Sequence, residues 1–255
     1  MTTIDNKHLS IKELRAFQPE EKDPTWKFCL FFSIYITKLF LYTKISANQV
    51  SFLFCIVSLF AALLLMGGIA TNDWRYFIGV PFFIYLYLIL DCVDGEVARA
   101  KATANPITGK IVDVLCHEIF DDAVIVTVTL GIYFRIENNL PLIMGLFLFF
   151  GKSISRRLED IIIRVIRLHA QDKVRKEDIV KVSTNHKIKR LIHYILPSNC
   201  EHGYIPYKGI FLIMICSLFG DLMLLGAFAL WAFWFNLKWV YKTCKFFKAP
   251  YNYLK

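Results

Sequence analysis

Three aspartates and one histidine of this chain have helical spacings that would gather their side chains in one place. Asp91 and Asp94 are three residues apart, and Asp113 and His117 are four apart, so each pair shares one face of a helix. Long uncharged stretches precede the first pair and follow the last acids of the second helix. Carboxylate oxygens bind divalent cations such as Mg²⁺, and ionisable groups within membrane-type sequence mark functional sites. The pattern therefore predicts a cation site between two helices.

The composition indicates that these residues belong to a membrane protein. The chain of 255 residues is 56% hydrophobic and only 20% charged, which is too apolar for an ordinary soluble domain. A helix that crosses the hydrocarbon layer needs about 20 apolar residues. Six such helices are predicted, at 50–66, 74–97, 110–134, 140–154, 210–219 and 222–240. The last two could instead be one broken helix, but the Gly220-Asp221 pair favours a turn between two helices.

A further helix is predicted before the first span, at 26–44, where lysines interrupt an aromatic and apolar sequence. This pattern is typical of an amphipathic helix that lies in the membrane interface, and a seventh span is the alternative. The fold class is therefore an all-α membrane protein with about six transmembrane helices preceded by an interfacial amphipathic helix. The remaining predicted divisions are a cytoplasmic tail at 1–25, a transmembrane domain at 45–247 with a basic cytoplasmic segment at 155–208, and a C-terminal tail at 248–255.

The basic residues predict how the chain is oriented in the membrane. Of its 30 lysines and arginines, only Arg75 and Arg135 lie near the loops around Asn72 and Asn138, and the other 28 fall on the opposite side. Basic residues accumulate on the cytoplasmic side of membrane proteins. The N-terminus and the acidic motif are therefore expected at the cytoplasmic face. This asymmetry explains the net charge of +9 without nucleic acid as a partner.

The four residues belong to a longer motif that resembles the signature of the CDP-alcohol phosphatidyltransferase family. That signature reads D-x2-D-G-x2-A-R, eight residues, then G-x3-D-x3-D. This sequence departs from it twice, because nine residues separate the two halves and His117 stands where the last acid is expected. The matching residues are Asp91, Asp94, Gly95, Ala98, Arg99, Gly109 and Asp113.

The resemblance implies an enzyme that moves a phosphatidyl or other substituted phosphate group from a CDP-linked donor to a hydroxyl acceptor, with release of CMP. It also implies a homodimer among membrane lipids and a cofactor of Mg²⁺ or Mn²⁺, with two ions. Serine, glycerol phosphate, inositol phosphate and a glycan-linked alcohol all remain open as acceptors. A catalytically silent nucleotide- and metal-binding homologue is the first alternative. A divalent-cation transporter is the second, although clustering of the acids near one surface argues against it.

Carried onto this sequence, the resemblance predicts the metal ligands and the nucleotide site. Carboxylates that neutralise a diphosphate are expected to hold the metal, and these are Asp91, Asp94 and Asp113. The predicted nucleotide-binding residues are Asn48, Asp94, Gly95, Ala98, Arg99 and Gly109. Alternatives remain open at two of them, because Arg99 could extend to the membrane surface without binding phosphate. Similarly, Ser46 or Asn48 could simply cap a helix.

His117 is the predicted general base, because the resemblance implies that the last acid of the signature deprotonates the attacking hydroxyl. A neutral imidazole can do this near physiological pH. It could also bind the metal or substrate, or mark a noncatalytic replacement. Asp121, four residues later, is predicted to orient the imidazole, although it could pair with a polar group elsewhere.

Two further predictions concern charged residues other than the three aspartates and His117. Lys152, Arg156 and Arg157 form a basic cluster that is expected to bind an anionic acceptor. The alternative is a patch that sets topology or binds anionic lipids. Glu96 lies between the fixed positions of the motif and is expected at a solvated surface.

Overall fold

The structure is a computed structural model that describes residues 9–16, 18, 23–101, 106–173 and 207–248. Helices account for nearly all of these residues, and none of them forms a β-strand. This confirms the all-α prediction for the described part of the chain. In chain order the helices are α1 (Ile11–Arg15), α2 (Pro24–Leu41), α3 (Ala47–Thr71), α4 (Trp74–Lys101), α5 (Pro106–Ile136), α6 (Leu140–Lys173), α7 (Tyr207–Leu218) and α8 (Asp221–Lys248).

Among the residues that the structure describes, three helical segments are long and apolar enough to cross a membrane. They are α3, α4 and the part of α8 at Asp221–Tyr241, and α7 contributes a shorter apolar helix at Gly209–Leu218. These segments confirm that the chain is an integral membrane protein. The number of six spans and the interfacial position of α2 stay predictions.

The described residues fall into two compact units that divide within α5, between Thr127 and Val128. In the first unit, both α2 and α3 pack against α4. Gly68 of α3 permits part of this packing, because a Cβ atom there would clash with the ring of Phe77 on α4. Helices α2 and α3 thus both flank α4, and the beginning of α5 belongs to the same unit.

The face of α2 that packs against α4 carries polar residues, and they bury Glu96. Oε1 of Glu96 accepts hydrogen bonds from Ser33 Oγ at 2.6 Å and from Gln18 Nε2 at 2.8 Å. Its Oε2 accepts one from Thr37 Oγ1 at 2.6 Å. Glu96 is only 2% exposed, so the expectation of a solvated position is wrong. The physical reason is that α2 covers Glu96 with hydroxyl groups, which satisfy a buried carboxylate.

The end of α4 also holds the connection between α2 and α3. Lys101 Nζ donates to the carbonyl oxygens of Phe40, Thr43 and Ile45, at 3.1, 3.0 and 2.6 Å. Directly after this connection, Ser46 caps α3 and forms a capping box with Gln49. Helix α3 therefore starts at a defined position beside α4, a few residues before the predicted span at 50–66.

The second unit contains the rest of α5 and the helices α6, α7 and α8, with α8 packed against both α6 and α7. Helix α6 continues well beyond the predicted span at 140–154, because Lys and Arg are good helix formers and do not end a helix. The predicted basic segment at 155–208 therefore begins as helix, and its part at 174–206 lies outside the described residues.

The predicted turn between the last two helices is confirmed. Gly220 separates α7 from α8 and has a φ of 110°, a conformation that favours glycine. Arg135 at the end of α5 donates to the carbonyl and hydroxyl of Ser217 and to the carboxylate of Asp221. These contacts fix the turn on both of its sides.

Candidate active site

Helices α4 and α5 bring together Asp91, Asp113 and His117. Nε2 of His117 lies 3.1 Å from Oδ1 of Asp91 and 3.0 Å from Oδ1 of Asp113. One possible ligand atom from each of the three side chains lies within 4.8 Å of the other two. The side chains of Asp91 and His117 are 14% and 6% exposed, whereas that of Asp113 is 39% exposed. The cluster is therefore enclosed on the α4 side and open at Asp113.

Two aromatic residues fix the orientation of the imidazole. The ring of Phe54 on α3 stacks on it, with centroids 5.2 Å apart and an interplanar angle of 29°. The hydroxyl oxygen of Tyr87 on α4 lies 2.5 Å from Nδ1 of His117. Phe54, Tyr87 and His117 are all buried. Because Nδ1 is paired with Tyr87, it is Nε2 that faces the carboxylates.

The atoms around Nε2 fit a bound cation. An imidazole nitrogen carries at most one proton, so it cannot donate to two carboxylates equally well. Oδ1 of Asp113 is buried and accepts no hydrogen bond from the described residues, although Nε2 is close to it. Two carboxylate oxygens and one imidazole nitrogen form a donor set that divalent metal ions accept. The residues present therefore fit a divalent ion.

Asp94 lies one turn beyond Asp91 on α4, but its carboxylate has a different neighbour. Oδ2 of Asp94 accepts a hydrogen bond from Ser51 Oγ on α3 at 2.7 Å. Within the part of the chain that the structure describes, Asp94 is not a member of the group formed by Asp91, Asp113 and His117. Its roles toward metal and nucleotide stay predictions.

Several of the residues predicted to bind the nucleotide are close to one another. Ser46 is the N-cap of α3, so Asn48 lies in the first turn and does not cap it. A Cβ atom at Gly109 on α5 would lie 3.7 Å from Oδ1 of Asn48. On α4, a Cβ atom at Gly95 would lie 3.1 Å from Nη1 of Arg99, so the guanidinium lies against this glycine.

The remaining predicted residues lie on α4, α5 and α6. Ala98 is half-buried on α4. Asp121 is fully buried on α5, one turn beyond His117. Its coupling to the imidazole stays a prediction. The role of His117 as a base also stays a prediction. The three predicted acceptor-binding residues all lie on α6, in the second unit. Lys152 is buried, Arg156 is half-buried and Arg157 is exposed.

Tyr87 and Ser51 are contacts of the site that the sequence analysis missed. Tyr87 precedes Asp91 by four residues on α4, and Ser51 follows Asn48 by three on α3. Each therefore shares a helix face with a residue that was predicted. Extending those faces by one turn would have found both.

The model of the family described as CDP-alcohol phosphatidyltransferase matches residues 44–237. The match begins just before α3 and ends within α8, so it includes both compact units and every residue discussed in this section. No curated protein matches the chain.

Proposed function

The chain belongs to the CDP-alcohol phosphatidyltransferase family, and we propose that it transfers a substituted phosphate group from a CDP-linked donor to a hydroxyl acceptor. Membership of the family implies transfer of a phosphatidyl group from a CDP-alcohol. The observation that carries the proposal for this chain is the convergence of Asp91, Asp113 and Nε2 of His117. These three side chains can therefore bind a cation, although the last acid of the signature is replaced by His117.

The proposed reaction replaces an anhydride oxygen on phosphorus by an ester oxygen. The acceptor hydroxyl oxygen forms a bond to the phosphorus that carries the alcohol of the donor. The bond from that phosphorus to the bridging oxygen of the diphosphate breaks, CMP leaves with that oxygen, and the hydroxyl proton is released to solvent. A divalent ion, Mg²⁺ or Mn²⁺, would neutralise the diphosphate and the departing CMP, and Asp91 and Asp113 would hold it.

The protein's own groups would bind and orient the donor. Arg99 is exposed at the end of α4, and a guanidinium pairs well with phosphate. Gly109 is the fourth residue of α5, which starts at Pro106, and the first N–H groups of a helix lack partners within the helix and favour phosphate. Asn48 lies beside Gly109 and would contact the nucleotide, and the small side chains at Gly95 and Ala98 would let it approach α4.

We further propose an active site at the cytoplasmic face, because 28 of the 30 basic residues are predicted on that side. Lys152, Arg156 and Arg157 would receive an anionic acceptor. The enzyme would act as a homodimer in phospholipid or related lipid biosynthesis, which the family resemblance suggests.

Release of CMP tests the proposal directly. We expect the full chain in lipid nanodiscs to release CMP from CDP-diacylglycerol only when Mg²⁺ or Mn²⁺ and an acceptor alcohol are present. The variant Asp91→Asn should abolish release, and Asp73→Asn, an acid at the other end of α4, serves as the matched control. No release with any of a broad panel of acceptors and CDP-linked donors would refute the proposal and favour a silent homologue.

A further inference from the structure

We propose that Nε2 of His117 is itself a metal ligand, together with Asp91 and Asp113, and that the site therefore prefers a divalent first-row transition ion to Mg²⁺. The inference deepens the proposed function and rests on it, because the donor's diphosphate is what the ion would neutralise. It assigns the imidazole to the ion, so that His117 is not the group that accepts the proton of the attacking hydroxyl.

The position of Nε2 favours a metal ligand over a general base. A general base must reach the acceptor hydroxyl, but this nitrogen lies 3.0 and 3.1 Å from two carboxylate oxygens. The stacked ring of Phe54 on α3 and the buried position of the imidazole prevent it from turning freely toward solvent. Nε2 therefore points to the place where the carboxylates would hold a cation.

The hydrogen bond at the other nitrogen, Nδ1, also suits a metal-binding histidine. To bind a metal, Nε2 must offer its lone pair, and the single proton of a neutral imidazole then resides on Nδ1. Histidines that bind metals almost always donate this second N–H to a fixed acceptor. The oxygen of Tyr87, 2.5 Å from Nδ1 and buried, provides such an acceptor. Tyr87 is thus a positioning residue for the metal ligand.

The donor set of two carboxylates and one imidazole favours a transition ion over Mg²⁺. Mg²⁺ prefers oxygen ligands and octahedral geometry, whereas imidazole nitrogen suits transition ions. An aspartate replaced by a neutral imidazole also removes one negative charge from the site. The nitrogen donor weakens binding of Mg²⁺ more than binding of Mn²⁺, whereas the lost charge weakens binding of both ions. We expect Mn²⁺ to bind roughly tenfold more tightly than Mg²⁺.

Pulsed electron paramagnetic resonance of Mn²⁺ added to the full chain in nanodiscs tests the inference without any substrate. A ¹⁴N hyperfine coupling of a directly bound nitrogen is expected in the wild type and in the control His169→Asp, and should be absent in His117→Asp. The concentration of Mg²⁺ that displaces Mn²⁺ should fall roughly tenfold in His117→Asp, because three carboxylates then hold the ion. Tyr87→Phe should keep the coupling but weaken Mn²⁺ binding by about 10- to 100-fold.

The results separate this inference from the proposed function. A wild-type spectrum without nitrogen coupling, or a coupling that persists in His117→Asp, would overturn the inference. If His117→Asp does not fold, the wild-type spectrum and the affinity of Tyr87→Phe still decide it. Coupling without CMP release would leave the metal site standing and refute the transferase reaction. Release of CMP without nitrogen coupling would support the transferase reaction and overturn the assignment of Nε2 as a metal ligand.

Discussion

Replacing Glu96 by alanine should destabilise the first unit strongly, because this carboxylate joins α2 to α4. The substitution removes acceptors for Gln18, Ser33 and Thr37 at once. The two hydroxyl groups are buried, so they would not be rehydrated without opening the contact between the helices. Donors that lose a partner in such a place cost more free energy than donors that return to water.

The size of the effect follows from the partners that each donor retains. Gln18 Nε2 and Ser33 Oγ can both still donate to the carbonyl oxygen of Leu30, at 2.7 and 3.1 Å. Within the described residues, Thr37 Oγ1 has no such second acceptor. Hydrogen bonds to charged groups contribute about 1.5–3 kcal/mol each. With the loss at Thr37 nearly complete and the other two losses partial, we expect Glu96→Ala to lower the free energy of unfolding by about 3–5 kcal/mol.

Equilibrium unfolding of the purified protein in detergent micelles would measure this change. Glu96→Gln is the matched control, because its amide keeps one acceptor and can donate to the oxygen of Thr37. It should lower the free energy of unfolding by only about 1 kcal/mol. The double variant with Thr37→Val should show a coupling of about 1.5–3 kcal/mol between the two positions.

A loss below about 0.5 kcal/mol for Glu96→Ala would contradict the buried network, since this is the effect of an ordinary surface substitution. That result would restore the solvated position expected from the sequence. A large but equal loss for Glu96→Ala and Glu96→Gln would show that the negative charge matters and the hydrogen-bond geometry does not.

Three further predictions concern single contacts. Ser51→Ala removes the hydrogen bond to Asp94, and CMP release should fall while thermal unfolding changes by only a few degrees; unchanged release would argue against a role for this contact. Gly151→Leu should destabilise the second unit by about 1–3 kcal/mol in thermal unfolding, because a Cβ atom would lie 2.5 Å from Nδ2 of Asn236. The control Gly226→Leu should not destabilise it, because the space around Gly226 is open. Arg135→Met removes the donors that hold the turn between α7 and α8, so proteolysis near that turn should become faster than in Arg157→Met.

Helix periodicity was sufficient to predict the central part of the candidate site. The spacing of Asp113 and His117 placed both on one face of a helix, and Asp91 was expected opposite them. The three side chains do converge, because helical spacing depends only on backbone geometry. The motif also predicted the family, which the match over residues 44–237 confirms.

The features that the sequence did not predict depend on contacts between distant segments. Glu96 is buried because α2 presents Ser33 and Thr37 to it. No pattern near Glu96 in the sequence predicts these contacts. The pairing of Tyr87 with Nδ1 requires the angle between α4 and α5, which periodicity does not contain. The end of α6 was placed too early because hydropathy reports where apolar sequence stops, and helices continue through charged residues.

The lysine at the end of α4 has a consequence for chemical labelling. An ammonium group has three N–H donors, and Lys101 directs them to the carbonyl oxygens of Phe40, Thr43 and Ile45. An amine-reactive reagent should therefore modify Lys101 far more slowly than the exposed Lys110. A planar guanidinium cannot direct its donors to three converging oxygens, so arginine would be a poor substitute here. Of the two cations that end α4, Arg99 is exposed, whereas Lys101 directs its donors to backbone oxygens.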